Sequence, residues 1–366
     1  MVISIDMSRM EATFFLGVTE VGRRFMRLCR IGLLGQLATI VIVALGGAIV
    51  DRPAIAQPIL ATCATGKEIP AGERAAIEQA GLRFVQALVS FNTEAAYTEL
   101  SSGAKQAAPQ DKVAALIAQV IQPMAPFSAV RVAQIHLVKV VTSAPTARIL
   151  CGSLARPEDW VSVAVKPIAE QAHVLVDVQT RNNGWTFALW LAPEQDWRVE
   201  YFTVVPSSMV GKTAHDLWDL ARSEQQSKHN FNAAILYITA SQLASRGPNF
   251  QLGITSEIQK DMQKLQLPTQ LQGQAPFIWK FGDHEYKILN VAPIGVGGKI
   301  YLTLTQETAP WGADQEADQH NRALISDFAR AVPEYTNVFA GLVVGAKERG
   351  GNRLFNTVDE TTAPAK

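Results

Sequence analysis

Histidine and cysteine are the residue types of this sequence best suited to bind a metal ion, and neither type is clustered along the chain. The six histidines stand singly, at His136, His173, His215, His229, His284 and His320. Asp283-His284-Glu285 concentrates polar groups, but no second His follows four residues later, so two imidazoles cannot share one helical face. We therefore predict no structural metal site and no cofactor.

Two motifs for other kinds of catalysis are incomplete. Residues 295–299, Gly-Val-Gly-Gly-Lys, look like a phosphate-binding loop. However, Pro293 and Ile300 stand where that motif requires Gly and Ser or Thr, so a hairpin turn is the better interpretation. The Gly-x-Ser-x-Gly pattern of a nucleophilic serine on a sharp turn does not occur in the sequence. These observations favour a binding protein over an enzyme.

The remaining candidate chemistry lies on a predicted antiparallel meander from His173 to Val205. Its first strand alternates with a period of two, so its two faces differ. The aliphatic face carries Val174, Val176 and Val178. The polar face carries His173, Leu175, Asp177, Gln179 and Arg181. Residues 181–184 and 193–196 have the composition of tight turns and are expected to close the two hairpins.

The composition is typical of a globular protein. The 366 residues are 48% hydrophobic and 18% charged, enough for two cores of ordinary domain size. The formal net charge is zero. This balance argues against nucleic acid and against anionic membrane surfaces as partners.

The N-terminal segment has the pattern of an export signal. Arginines precede an apolar run over residues 31–50, and Ala54-Ile55-Ala56 places small residues where a signal peptidase cleaves. We predict that residues 1–56 are a signal peptide, with 1–25 an over-extended start before Met26, and that the mature protein is periplasmic or secreted. An uncleaved membrane anchor is the alternative, since about twenty apolar residues can span a bilayer.

Two cysteines, Cys63 and Cys151, remain beyond that segment. Disulfides persist in exported proteins, so these residues are candidates for a bridge. Two buried free thiols are the alternative, and the sequence leaves both open.

Helical patterns precede strand patterns in the mature chain. After a linker at 57–69, residues 70–126 show helical spacing and residues 130–205 show strand patterns, which indicates an α+β domain with three helices on one face of an antiparallel sheet. A polar segment after residue 206 marks a boundary. Residues 207–358 are expected to form a second α+β domain with a helical hairpin and antiparallel strands, and residues 359–366 a disordered tail.

Three segments of the first domain, Phe84 to Leu88, Ala95 to Ser101 and Trp197 to Phe202, resemble the nuclear-transport-factor-2-like (NTF2-like) superfamily. The resemblance implies a cone of three helices packed on a curved antiparallel sheet over residues 70–206, often with an apolar pocket. Enzymes of that superfamily place an Asp or His, often with a Tyr, at the pocket. The ligand-pocket candidates here are Tyr97, His173, Asp177, Trp190 and Tyr201. If the valine face is the concave one, Asp177 instead faces solvent or the second domain.

The sequence thus predicts an exported, non-catalytic two-domain protein of the bacterial cell envelope that binds a protein or an apolar small molecule. One alternative is a small-molecule isomerase or hydrolase that uses Asp177 or His173 as a base. Another is a membrane-anchored assembly factor that keeps residues 31–50. No family is recognised in the second domain.

Overall fold

The computed structural model describes residues 61–141, 147–166, 168–181 and 183–360. Within them the chain is an α+β protein with eight α-helices and three β-sheets, which confirms the predicted fold class. The predicted signal peptide, residues 1–56, lies outside the described residues. No helix among the described residues is long and apolar enough to cross a membrane.

Residues up to 209 contribute four helices and seven strands. The helices are α1 (Ala71–Val89), α2 (Thr93–Thr98), α3 (Ser102–Ala107) and α4 (Gln110–Leu116). The strands are β1 (Ala61–Thr65), β2 (Phe127–Val140), β3 (Ala147–Gly152), β4 (Trp160–Val165), β5 (Glu170–Thr180), β6 (Asn183–Pro193) and β7 (Trp197–Met209). Side-chain caps set two of the helix starts, since Asn92 accepts from the amide of Ala95 and Ser101 from that of Ala104. The sequence analysis predicts three helices in this part of the chain, one fewer than the structure shows there.

The later part of the described chain contributes four more helices and seven strands. The helices are α5 (Ala214–Gln226), α6 (Asn230–Ala244), α7 (Ile254–Gln263) and α8 (Asp314–Ala331). The strands are β8 (Lys212–Thr213), β9 (Phe250–Leu252), β10 (Phe277–Phe281), β11 (His284–Val296), β12 (Lys299–Thr308), β13 (Gly341–Glu348) and β14 (Leu354–Glu360). Asp359 and Glu360, the first two residues of the predicted tail, lie in β14, and residues 361–366 lie outside the described residues.

The largest sheet has the strand order β1-β2-β5-β6-β7-β8, and β5, β6 and β7 form the predicted meander. Its valine face packs against α1, as Val174, Val176 and Val178 share one core with the helices. β1 belongs to this sheet, paired with β2, although the sequence predicted a linker at 57–69. The predicted boundary at residue 206 also falls inside β7.

A three-stranded sheet, β3-β4-β9, forms a small core with the opposite face of the meander. Leu175 and Ala188 from the meander pack with Val163 and Phe250 in that core. The sequence analysis assigned the strand patterns of residues 130–205, which include β3 and β4, to one antiparallel sheet with the meander, and this was wrong. The separate sheet forms because β4 pairs with β3 and β9 instead. As a result, the face opposite the valines is largely buried.

The third sheet, β10-β11-β12-β13-β14, is covered by α6 and α8. Three of its four strand pairs are antiparallel, as predicted, but β12 and β13 are parallel. The helix α8 lies between these two strands in the chain and supplies the long connection that a parallel pair needs. The Gly-rich residues 295–299 form the turn between β11 and β12, where Gly297 and Gly298 have φ of 57° and 78°. This confirms the hairpin interpretation.

Candidate functional site

The ligand pocket implied between α1 and the meander is occupied by aromatic side chains. Phe84, Phe187 and Phe202 are each at most 2% exposed, and the rings of Phe84 and Phe202 meet edge to face with centroids 5.0 Å apart. Tyr97 packs on this side of the sheet, beside the same core. The other four pocket candidates are on β5, β6 and β7 and share the opposite face. The five residues therefore do not line one pocket.

Asp177 is engaged by two donors on neighbouring strands. The hydroxyl of Thr186 on β6 donates to Oδ1 over 2.8 Å, and Nη2 of Arg131 on β2 lies 3.3 Å from Oδ2. The side chain of Asp177 is 22% exposed. Both carboxylate oxygens are thus held by cross-strand contacts, which suits a role in pairing the strands.

His173 is buried in an aromatic environment. Its ring stacks on Trp190 with centroids 6.4 Å apart, and the Lys166 ammonium lies 3.7 Å from the centroid of the Trp190 ring. Tyr201 is the cross-strand partner of Trp190 on β7. Burial of His173 lowers its pKa to about 3, so the imidazole is neutral at physiological pH. Its Nε2 has no hydrogen-bond partner within the described ranges.

His136 lies directly opposite His173 in the β2–β5 pair, and burial lowers its pKa to about 4. Next to it, Cys63 on β1 and Cys151 on β3 form a disulfide with a Cα–Cα distance of 5.5 Å. A ring nitrogen of His136 and both sulfurs lie within 4.8 Å of one another. We call these three residues the Cys–His cluster. Sequence spacing gave no signal for it, because its members come from three separate strands.

An open groove of about 540 Å³ lies at the end of the meander, on the helix side of the turn between β6 and β7. Its lining is mostly polar: Ala76, Gln79, Arg83, Glu99, Pro193, Glu194, Gln195, Asp196, Trp197 and Arg198. We call it the turn groove. A second groove, of about 510 Å³, shares Arg83 and Glu99 with it, so this ion pair borders both.

Most charged groups of the turn groove are already paired. Arg83 binds Glu99 through two hydrogen bonds of 3.1 Å, and Arg198 adds a third contact to Glu99 at 3.3 Å. Glu194 accepts from the amide and hydroxyl of Ser102, and these bonds, the amide first, hold the pKa of Glu194 below its usual value. Asp196 is largely accessible to solvent, with a side chain 73% exposed. The groove offers a preformed charged surface more suited to recognition than to proton transfer.

A second histidine arrangement joins α8 to β11. Asp327 lies 2.7 Å from Nδ1 of His284 and accepts a hydrogen bond of 2.7 Å from the hydroxyl of Tyr286. The bond with His284, helped by that of Tyr286, lowers the pKa of Asp327, whereas burial and this carboxylate raise the pKa of Tyr286. The sequence signalled only Asp283-His284-Glu285, because Asp327 is 43 residues away.

An imidazole oriented by a carboxylate is a common general-base arrangement. Here the His284 side chain is 64% exposed, while Asp327 is 9% exposed and holds the helix on the sheet. The two contacts of Asp327 with His284 and Tyr286 connect α8 with β11, which fits a structural link. Searches of protein-family models, curated proteins and solved structures found no match to this chain.

Proposed function

We propose that the protein is exported to the cell envelope and acts there by binding a protein partner through the turn groove. The groove is the observation that carries the binding role: it is open, preformed and lined by charged side chains held in fixed positions. Its lining favours a polar segment of a protein over an apolar small molecule. The interior of the first core supports the same choice, since Phe84, Phe187 and Phe202 fill it.

The disulfide between Cys63 and Cys151 supports the proposed location. Disulfides are stable in oxidising compartments and rare in the cytosol. The first cysteine of this one, Cys63, lies shortly after the predicted signal peptide. Signal cleavage after Ala56 is part of the proposal. Mass measurement of the chain isolated from the cell envelope tests it, because a retained anchor at residues 31–50 would add the mass of the whole N-terminal segment.

One exposed acid of the turn groove, Asp196, explains how a partner would be recognised. Asp196 lies 3.8 Å from Arg198 and is largely exposed, so its carboxylate can accept hydrogen bonds from a basic side chain of the partner. Rim charges of this kind steer encounter and contribute to specificity. We therefore expect the partner to present Lys or Arg to this turn.

A photo-crosslinking amino acid at Gln195, incorporated in the native cells, tests the binding role. We expect a discrete crosslinked protein that is lost with Asp196→Asn and retained with Asp283→Asn. Asp283 is a matched control, because it is an exposed Asp in a turn of the other sheet. A crosslink that survives Asp196→Asn, or no crosslink above that from a probe at the exposed residue Lys299, would refute a partner site in the groove.

The isomerase or hydrolase alternative has less support. Asp177 is held by Thr186 and Arg131, and His173 is only 2% exposed, so neither is poised to take a proton from a substrate. The membrane-anchored alternative depends on residues 31–50, which lie outside the described part of the chain.

We also propose that residues 70–206, together with β1 and the end of β7, form an NTF2-like cone and that the rest of the chain to residue 358 forms a second domain. Two large cores support this layout, one between α1 and the meander and one between α6, α8 and the five-stranded sheet. The strand β9 pairs with β4 and links the two parts. Separate expression of residues 57–209, which keeps β7 whole, tests the layout, with cooperative unfolding as the expected result.

A further inference from the structure

The Cys–His cluster combines three side chains that are good ligands for a borderline or soft metal ion. Two thiolates and one imidazole are typical of zinc and copper(I) sites. A zinc ion lies about 2.3 Å from sulfur and about 2.0 to 2.1 Å from imidazole nitrogen, so two of its ligands lie at most about 4.6 Å apart. The three ligand atoms are already within 4.8 Å of one another. Only small side-chain movements would bring them around one ion.

The hydrogen bonding of the His136 ring suits such a role. Its Nε2 lies 3.3 Å from Oε1 of Gln134, an acceptor, so Nε2 carries the proton and Nδ1 has the lone pair. Nδ1 is buried and has no hydrogen-bond partner among the described residues, and the residue is 6% exposed. A hydrogen bond from the second ring nitrogen is the usual support of a metal-bound histidine. An unpartnered buried nitrogen is costly unless something binds it.

We propose that Cys63, Cys151 and His136 form a redox-gated metal site that binds a zinc-like ion when the disulfide is reduced. The disulfide is the closed state of this site, because both sulfurs are then bonded to each other and unavailable as thiolates. The metal-bound state is the open one. The site is separate from the turn groove and does not depend on the proposed binding role.

Access to the disulfide is asymmetric. Cys63 is partly exposed on β1, the edge strand of its sheet, whereas Cys151 is 1% exposed. A thiolate of a dithiol reductant therefore attacks the sulfur of Cys63, forms a mixed disulfide and releases Cys151 as a thiolate. The second thiol of the reductant then displaces Cys63 and leaves as a cyclic disulfide. Both electrons end on the two cysteines, and zinc binding then releases any protons that their thiols carry.

The test uses the full chain with Cys29→Ser, so that Cys63 and Cys151 are its only thiols. The protein is reduced with dithiothreitol, the reductant is removed without oxygen, and zinc is added and quantified by native mass spectrometry after desalting. We expect about one zinc ion per reduced chain and less than about a tenth of that for the oxidised chain. Cobalt(II) should give thiolate-to-metal charge-transfer absorption in the reduced protein, whereas magnesium should not bind.

His136→Gln and His173→Gln separate a ligand from a neighbour. His173 is the matched control, since it is also a buried histidine on the same face of the sheet but lies outside the cluster. We expect His136→Gln to weaken zinc binding by more than the roughly 10- to 100-fold that loss of an outer-shell group costs, and His173→Gln to keep the wild-type stoichiometry. The thermal melt of each oxidised variant shows that it is folded before reduction.

Three results would overturn the proposal: reduced wild type without zinc, equal zinc binding in the oxidised chain, or equal losses in the two histidine variants. Equal losses would show that the effect comes from general damage to this face. The partner crosslink at Gln195 is measured on the oxidised protein, so failure of the metal site leaves that proposal standing.

Discussion

Reduction of the Cys63–Cys151 disulfide is expected to destabilise the first core strongly. The two cysteines are 88 residues apart, so the bridge closes a long loop that contains all the helices of that core. The chain-entropy relation for a loop of this length gives about 4 to 5 kcal/mol at 25 °C, through the loss of conformational freedom in the unfolded state. In a domain of this size, that corresponds to a fall in Tm of roughly 10 °C or more.

Comparison of oxidised and reduced wild-type protein isolates this effect, because no side chain is changed and no cavity is made. Urea unfolding is followed by circular dichroism in the presence of a chelator, so that metal binding cannot restore the reduced state. Cys63→Ala/Cys151→Ala is the control against re-oxidation and should be at least as unstable as the reduced protein. A difference below about 1 kcal/mol between the oxidised and reduced forms would refute the argument. Such a result would mean that the unfolded chain keeps Cys63 and Cys151 close together even without the bond, so that the bridge removes little conformational freedom.

Two further predictions concern the cores and the pH dependence of stability. Phe187→Ala should lower the free energy of unfolding by about 3 to 5 kcal/mol, because the ring is fully buried between α1 and the sheet. Urea unfolding measures it, with Phe187→Leu as a milder control; a loss below about 1 kcal/mol would contradict the packing described. The pKa of Asp327 is lower in the folded protein, so its stabilising contribution is present above the unfolded value of about 3.9 and is lost as the pH falls through the folded value. Asp327→Asn should therefore reduce the loss of stability between pH 5 and acid, as measured by urea unfolding at each pH, and identical pH profiles for Asp327→Asn and wild type would exclude this contribution.

Local patterns in the sequence were sufficient to predict the meander and its two faces. Alternation over Val174, Val176 and Val178 identifies a strand with one aliphatic side, because successive side chains point to opposite faces. The Gly-rich residues 295–299 were correctly assigned to a hairpin, since positive φ angles there suit glycine. These features depend only on residues close together in the chain.

Pairing between distant strands and helices was not predictable in the same way. The sequence could not show that β4 would pair with β9, nor that β12 and β13 would be parallel, because the alternation of a strand does not specify its neighbours. From the sequence alone, the polar face of the meander is a candidate pocket wall. In the structure the three-stranded sheet β3-β4-β9 covers much of it.

The sequence by itself determined the α+β class, the meander, the hairpin at residues 295–299 and the identity of the two cysteines that could pair. Only the tertiary structure decided that Cys63 and Cys151 are bonded beside His136, that Asp327 reaches His284, and that Tyr97 lies on the other side of the sheet from His173. The physical reason is the range of the forces involved. Secondary structure follows from local sterics and the burial of one face, whereas sites assembled from several strands depend on which elements pack together.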